Sequence, residues 1–228
     1  MTAFLSEHEA GAAILDVGRR VYQSGLVAAN DGNLSCRLAD GTILVTPTGV
    51  SKGFMTEDML VRMDLNGNVL GDGRPSSEVK MHLRVYQENP ELGGVVHVHP
   101  PVATGCSIIG LELTRPVVAE AVLVTGNIPI APYAKPGTFA VPESIAPFVN
   151  QYHGVLLENH GALTWGEDLY QALYRMEAIE HQAKIMMYAS LMGALYKKEL
   201  RHFTQEELDG LVGIRTGWGV TTGGRPEA

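Results

Sequence analysis

Basic side chains are scarce in this sequence: 17 lysines and arginines face 25 aspartates and glutamates, a formal net charge of −8. The phosphate attraction behind non-specific nucleic-acid binding is therefore missing, which argues against a nucleic-acid partner. Thiols are nearly absent as well. Cys36 and Cys106 lie far apart and in no C-x-x-C pattern, so neither a disulfide framework nor a thiolate zinc site is implied, and a reducing cytoplasm is the expected compartment. No stretch of about 18 apolar residues occurs, and the first twenty residues carry acids where a signal peptide carries bases. Neither a membrane partner nor export is expected. Also lacking are G-x-G-x-x-G, G-x-x-x-x-G-K-[ST] and G-x-S-x-G, which removes the usual dinucleotide cradle, nucleotide-triphosphate cradle and serine-hydrolase elbow.

What is present is enough for a core: 228 residues, 45% hydrophobic and 18% charged, with no repeat, linker or low-complexity segment. The chain reads as one α/β domain over 1–228, with a loose glycine-rich tail from about 213. Ser6 and Glu9 form an S-x-x-E capping box ahead of a helix whose apolar stripe is Ala10, Ala13, Ile14, Val17 and Val21. NLSCRL and TILVTP read as two strands joined at Ala39-Asp40-Gly41, and LVRMD with VL repeats that logic around Asn66-Gly67. A helix is expected from Ser76 to Asn89, a buried strand in GGVVHVH, and a helix from Pro101 to about Ile109. After a loop-rich region from Thr114 to Pro142 come two strand-like pieces in GVLLENHGALTWG and a long helix from about Glu167 to Tyr196. Thr204 and Glu207 form a last capping box.

The strongest chemical signal is His97-Val98-His99. Side chains at i and i+2 of a strand leave one face, so both imidazoles can converge on one cation. His160, between Asn159 and a glycine that permits an unusual backbone, supplies a third from another strand end. Three histidines plus a carboxylate match a tetrahedral zinc site with one displaceable position. Glu78 is the best carboxylate. It stands in Pro75-Ser76-Ser77-Glu78 at a helix start, where free N–H groups favour an anion. Two readings stay open there: a serine as N-cap with Glu78 complementing the dipole, or serines on a phosphate with Glu78 facing the metal. His82 shares Glu78's helix face, and a packed or solvent-facing role is set above a supporting one. The loops Asn30-Asp31-Gly32-Asn33 and Thr46-Pro47-Thr48-Gly49 are suited to an anion, or are plain turns.

Taken in order, GNLS (32–35), TPTG (46–49), PSSE (75–78), HVHP (97–100), APY (131–133) and ENHG (158–161) resemble the class II aldolase and adducin family, most closely its L-fuculose-1-phosphate aldolase branch. The resemblance implies a three-layer α/β/α fold with a central, mainly antiparallel sheet, and a homotetramer with sites at subunit interfaces. It implies a divalent metal, usually Zn2+ with Mn2+ or Co2+ as substitutes, on His97, His99 and His160. Glu78 would be a resting ligand that swings off to act as acid and base. It puts a substrate phosphate on Asn33, Thr48, Gly49, Ser76 and Ser77, with Gly32 shaping the loop. The implied reaction is reversible cleavage of a (deoxy)ketose 1-phosphate, such as L-fuculose 1-phosphate, to dihydroxyacetone phosphate and an aldehyde. Family alternatives are a pentulose-phosphate 4-epimerase, a 3-oxo-acid-phosphate decarboxylase and a non-catalytic adducin-like module. The epimerase branch has aspartate where Glu78 stands and a histidine-aspartate pair unmatched in RPVVAEAV, which favours bond cleavage. Two departures stand out. The aldolase's tyrosine proton donor falls where this chain reads PVVAEAV, with Glu120 the nearest candidate, and its C-terminal tyrosine falls where the tail offers Trp218.

Overall fold

The computed structural model describes residues 4–226. Seven strands form one sheet in the order β3-β2-β1-β4-β7-β6-β5: β1 is Asn33–Arg37, β2 Ile43–Val45, β3 Val61–Met63, β4 Gly94–Val98, β5 Ile130–Ala131, β6 Gly154–Leu157 and β7 Gly161–Gly166. Every pairing is antiparallel except β5 with β6, so the sheet is mixed and mainly antiparallel, as the resemblance implies. Side chains alternate between two cores because successive strand residues point to opposite faces. On one face Leu34, Cys36, Val96, Val98 and Ala162 pack against three helices, α1 (Glu7–Gln23), α3 (Pro101–Ile108) and α5 (Leu169–Tyr196). On the other, Val95, Val155, Leu157, Leu163 and Trp165 meet α2 (Val79–Glu88) and α4 (Ala140–Ile145). The result is three layers. No helix among the described residues is long and apolar enough to cross a membrane.

Local chemistry sets the element boundaries. Ser6 and Glu9 make the expected reciprocal cap at the start of α1, Asp168 caps α5, and Thr204 with Glu207 caps α6 (Gln205–Gly217). The hairpin at Asn66-Gly67 is held by the Asp64 carboxylate, which accepts from the Asn66 and Asn68 amides at 2.9 and 2.8 Å.

Two stretches depart from the sequence reading. The loop region after Thr114 contains a π-helical turn, Ala121–Thr125, as well as β5 and the start of α4, all too short to leave a periodic signal. The segment expected to be loose from about 213 is helical to Gly217 and then hydrogen-bonded down: Asn127 N–H donates to Gly223 O at 2.8 Å, and the Gly223 and Gly224 amides both donate to Gln151 O. Glycines read as flexibility in the sequence here let backbone approach backbone closely.

Candidate functional site

The site grows from the centre of the sheet. Asn33 on β1 lies directly opposite His97 on β4, so both side chains stand on the α2 face. His97 is fully buried. Its Nδ1 sits 2.9 Å from Ala162 O, a carbonyl that can only accept, so Nδ1 carries the proton and the lone pair of Nε2 faces inward. His99, one residue past β4, returns to the same face with its Nε2 3.2 Å from that of His97. His160 arrives from the three-residue loop between β6 and β7, whose Asn159 takes φ 56. The left-handed residue is thus Asn159 rather than the glycine that follows. Gly161 answers a different need: a Cβ there would lie 2.6 Å from both His99 Cδ2 and Val98 O.

One ligand atom from each of the three histidines falls within 4.8 Å of the others. Glu78 closes the set, with Oε1 3.1 Å from His160 Nε2 and Oε2 3.4 Å from His97 Nε2. Burial acts to raise the Glu78 pKa, but the close imidazoles of His160 and His97 outweigh it and hold the carboxyl well below the usual range. Burial, reinforced by like charge on His97 and His160, pushes His99 down to about 4 and keeps it neutral. Among the described residues, nothing stands in hydrogen-bond geometry to the buried Glu78 Oε1. An orphaned carboxylate oxygen facing imidazole nitrogens is what a divalent cation would satisfy, and three nitrogens with one oxygen suit Zn2+, so the residues present fit a metal.

Glu78 is itself the N-cap residue of α2, yet its side chain caps nothing in the helix and turns to the histidines instead. Ser76 Oγ accepts from the Glu78 amide at 3.3 Å, and Ser77 stands beside it. Gly32, Asn33, Thr48, Gly49, Ser76 and Ser77 all line a single cavity of about 160 Å³ that also reaches Glu78 and His99. Gly32, at φ 77, lets its loop pass the end of β4 where a Cβ would sit 2.9 Å from His97 O. The small polar loops and the Glu78–His99 edge of the histidine cluster therefore share one cavity.

Three further residues belong to this place. Lys52 lines the cavity, is 2% exposed, and was not singled out from the sequence; the cue was its position three residues beyond the TPTG turn. Asp31, inside a loop that was singled out, brings Oδ2 within 3.5 Å of His99 Nδ1. His82 is buried rather than solvent-facing and bridges Ser35 Oγ at 2.7 Å and Asn33 Oδ1 at 2.5 Å. Glu120, by contrast, is exposed before the π-helical turn, and neither it nor the exposed Trp218 lines the cavity.

Residues 12–187 match the class II aldolase and adducin N-terminal domain. The chain belongs to that family. It is 32% identical over 207 residues to the 3-oxo-tetronate 4-phosphate decarboxylase of Pectobacterium atrosepticum, covering 89% of this chain and 92% of that protein. Against the L-fuculose phosphate aldolase of Methanococcus maripaludis it is 33% identical over 172 residues, covering 75% of this chain and 92% of that one. A solved L-fuculose 1-phosphate aldolase superposes with a TM-score of 0.83 at 27% identity, over 95% of this chain and 100% of its own. Membership of this family makes the chain an enzyme of aldolase or decarboxylase type, with a histidine trio able to hold the metal such enzymes require.

Proposed function

We propose that this chain is a metal-dependent lyase that decarboxylates a phosphorylated 3-oxo acid of the 3-oxo-tetronate 4-phosphate type, giving dihydroxyacetone phosphate and carbon dioxide. The observation that carries the choice is the PVVAEAV segment, which holds no tyrosine where the family's aldolase keeps its proton donor. An aldehyde can depart only if the neighbouring hydroxyl exchanges its proton. Carbon dioxide leaves from a carboxylate that is already ionised and makes no such demand. The longer alignment with the decarboxylase, 89% of this chain against 75% for the aldolase relative, supports the same reading.

In this reading Thr48, Gly49, Ser76, Ser77 and Asn33 hold the phosphate through neutral donors, with Gly32 shaping the loop, and so set the distance from phosphate to breaking bond. His97, His99 and His160 would hold the divalent metal, Zn2+ by their chemistry, with Glu78 as fourth ligand before substrate arrives. The ion when bound supplies Lewis acidity toward the hydroxyl and keto oxygens beside that bond. Loss of carbon dioxide leaves the electron pair of the C1–C2 bond in an enediolate. Glu78, displaced from the histidines, is then a buried carboxyl without their imidazoles beside it, so burial raises its pKa and lets it carry the proton delivered to C2. One substrate and one proton give one ketone and one carbon dioxide.

The second reading, aldol cleavage of a ketose 1-phosphate such as L-fuculose 1-phosphate, uses the same residues and is favoured by glutamate rather than aspartate in PSSE. Both reactions release dihydroxyacetone phosphate, so the deciding assay measures that product and carbon dioxide together, from 3-oxo-tetronate 4-phosphate and from L-fuculose 1-phosphate, with and without chelator. Equal, chelator-sensitive yields of both products from the first substrate are expected. Triose release from the second substrate alone would replace this reading with the aldolase.

A homotetramer in the cytoplasm completes the proposal. Tyr188, Leu191, Met192, Leu195 and Tyr196 on the last turns of α5 are 55–74% exposed, an apolar stripe suited to burial against another copy. Sedimentation equilibrium would test it.

A further inference from the structure

We infer that Lys52 is the cation of the phosphate subsite, tying its two loops together and giving its remaining N–H to the substrate phosphate. It rests on the reading above only in taking the ligand to be a phosphate ester, whichever bond breaks. Lys52 begins the 3₁₀ turn Lys52–Phe54, and its Nζ donates to Asn30 O at 3.0 Å and to Val50 O at 2.5 Å. Those carbonyls belong to the Asn30–Asn33 stretch and to the residue following Gly49, the two loops that wall the cavity. An ammonium has three protons, so one remains after both carbonyls are served. Lys52 is the one lysine or arginine among the described residues lining this cavity; the others with titratable side chains are Asp31, Glu78 and His99.

A buried charge held only by carbonyls is incompletely compensated, and a dianion in the cavity would complete it. Burial lowers the Lys52 pKa to about 8, against a smaller raising effect from Asp31. The titratable groups that share its cavity are Asp31, Glu78 and His99, and from α1 the Tyr22 ring lies against the adjacent Gly53. A phosphate dianion arriving there restores the proton to Lys52, so binding above the free pKa draws a proton from solvent. Lys52 thereby favours a doubly charged phosphate ester over an unphosphorylated sugar acid.

The test titrates inorganic phosphate into the full-length, metal-loaded protein by calorimetry at about pH 9, in two buffers of different ionisation enthalpy, for wild type and Lys52→Met. Uptake approaching one proton per site in wild type is expected. Lys52→Met should lose that uptake and weaken phosphate binding by about 10- to 100-fold, as expected for a hydrogen bond to a charged group. A folded Lys52→Met protein that binds phosphate within about twofold of wild type would overturn the inference. Should the variant not fold, wild type decides alone, since binding without proton uptake also overturns it. Turnover is not involved, so a protein that takes phosphate through Lys52 yet releases no carbon dioxide would sink the proposed reaction and leave this inference standing.

Discussion

His82 Nε2 donates to the side-chain oxygen of Asn33 across 2.5 Å, and the direction of that bond is fixed by its neighbours. Asn33 already uses its NH2 group on Glu78 Oε2 at 3.1 Å, so its Oδ1 must accept. Burial pushes the His82 pKa down to about 3, leaving a neutral ring whose Nδ1 accepts from Ser35 Oγ at 2.7 Å. The Tyr86 hydroxyl meets Ser35 behind it at 2.8 Å. A chain of uncharged donors thus ends on the carboxylate that the proposed chemistry needs. His82→Leu should lower kcat by about 10- to 100-fold with less change in KM, since four of the five proposed phosphate contacts, Thr48, Gly49, Ser76 and Ser77, do not touch His82. Unpaired Asn33 and Ser35 should cost about 1–3 kcal/mol in thermal unfolding. Steady-state kinetics with wild-type kcat in a folded variant would remove His82 from this role.

Replacing Glu78 with Gln keeps the shape of the side chain and removes its ability to carry the transferred proton. Turnover should fall by about 10²- to 10⁴-fold while inorganic phosphate still binds. Near-normal release of dihydroxyacetone phosphate would show that another group moves the proton.

Gly161→Ala tests the packing that brings His160 beside His99. The added methyl meets His99 Cδ2 and Val98 O at 2.6 Å, too close for either to stay in place. Metal content after dialysis, read by elemental analysis, should drop sharply relative to wild type, with an overpacking cost of about 1–3 kcal/mol. Full metal retention would mean the loop relaxes without moving the histidines.

A fourth expectation concerns acid stability away from the site. His153 is 2% exposed, with Nε2 2.7 Å from Thr222 Oγ1, and burial, aided by Arg175, lowers its pKa from 6.5 to about 3. The unfolded chain therefore binds the proton first as pH falls. The contribution of neutral His153 is complete above about pH 6.5 and is lost progressively toward pH 3, amounting to about 2 kcal/mol by about pH 5. His153→Gln should flatten the dependence of unfolding free energy on pH between about 7 and 5. An unchanged slope would assign that loss to other groups.

Much of this was legible in the sequence because the informative signals are local. H-x-H in an apolar run fixed a strand and a face at once, and the Ser6/Glu9 and Thr204/Glu207 boxes marked helix starts within a residue. The loops bearing Gly32, Asn33, Thr48 and Gly49 were recognisable from their small polar residues and fall on one cavity with Ser76 and Ser77. What stayed hidden depends on contacts remote in sequence. The role of Lys52 comes from carbonyls of two loops, and a lone lysine after a turn looks like any solvated one. His82 looked ambiguous because only β1, brought over α2 by the fold, supplies Asn33 and Ser35 as partners. The glycines after 213 read as slack because the backbone groups that hold them, on Asn127 and Gln151, lie far upstream.

The strand order has a consequence for synthesis. β4 sits between β1, made long before it, and β7, made long after. A chain emerging from the ribosome therefore displays His97 and His99 as a two-armed chelate while His160 is still untranslated, and such a pair holds a cation only loosely. Tight capture of a metal by these residues would wait for the β6–β7 loop to deliver the third imidazole beside a β4 already flanked by β1. The ion would be acquired at the end of folding, as a reward for completed topology, and would act afterwards as a clasp joining the middle of the chain to its last third.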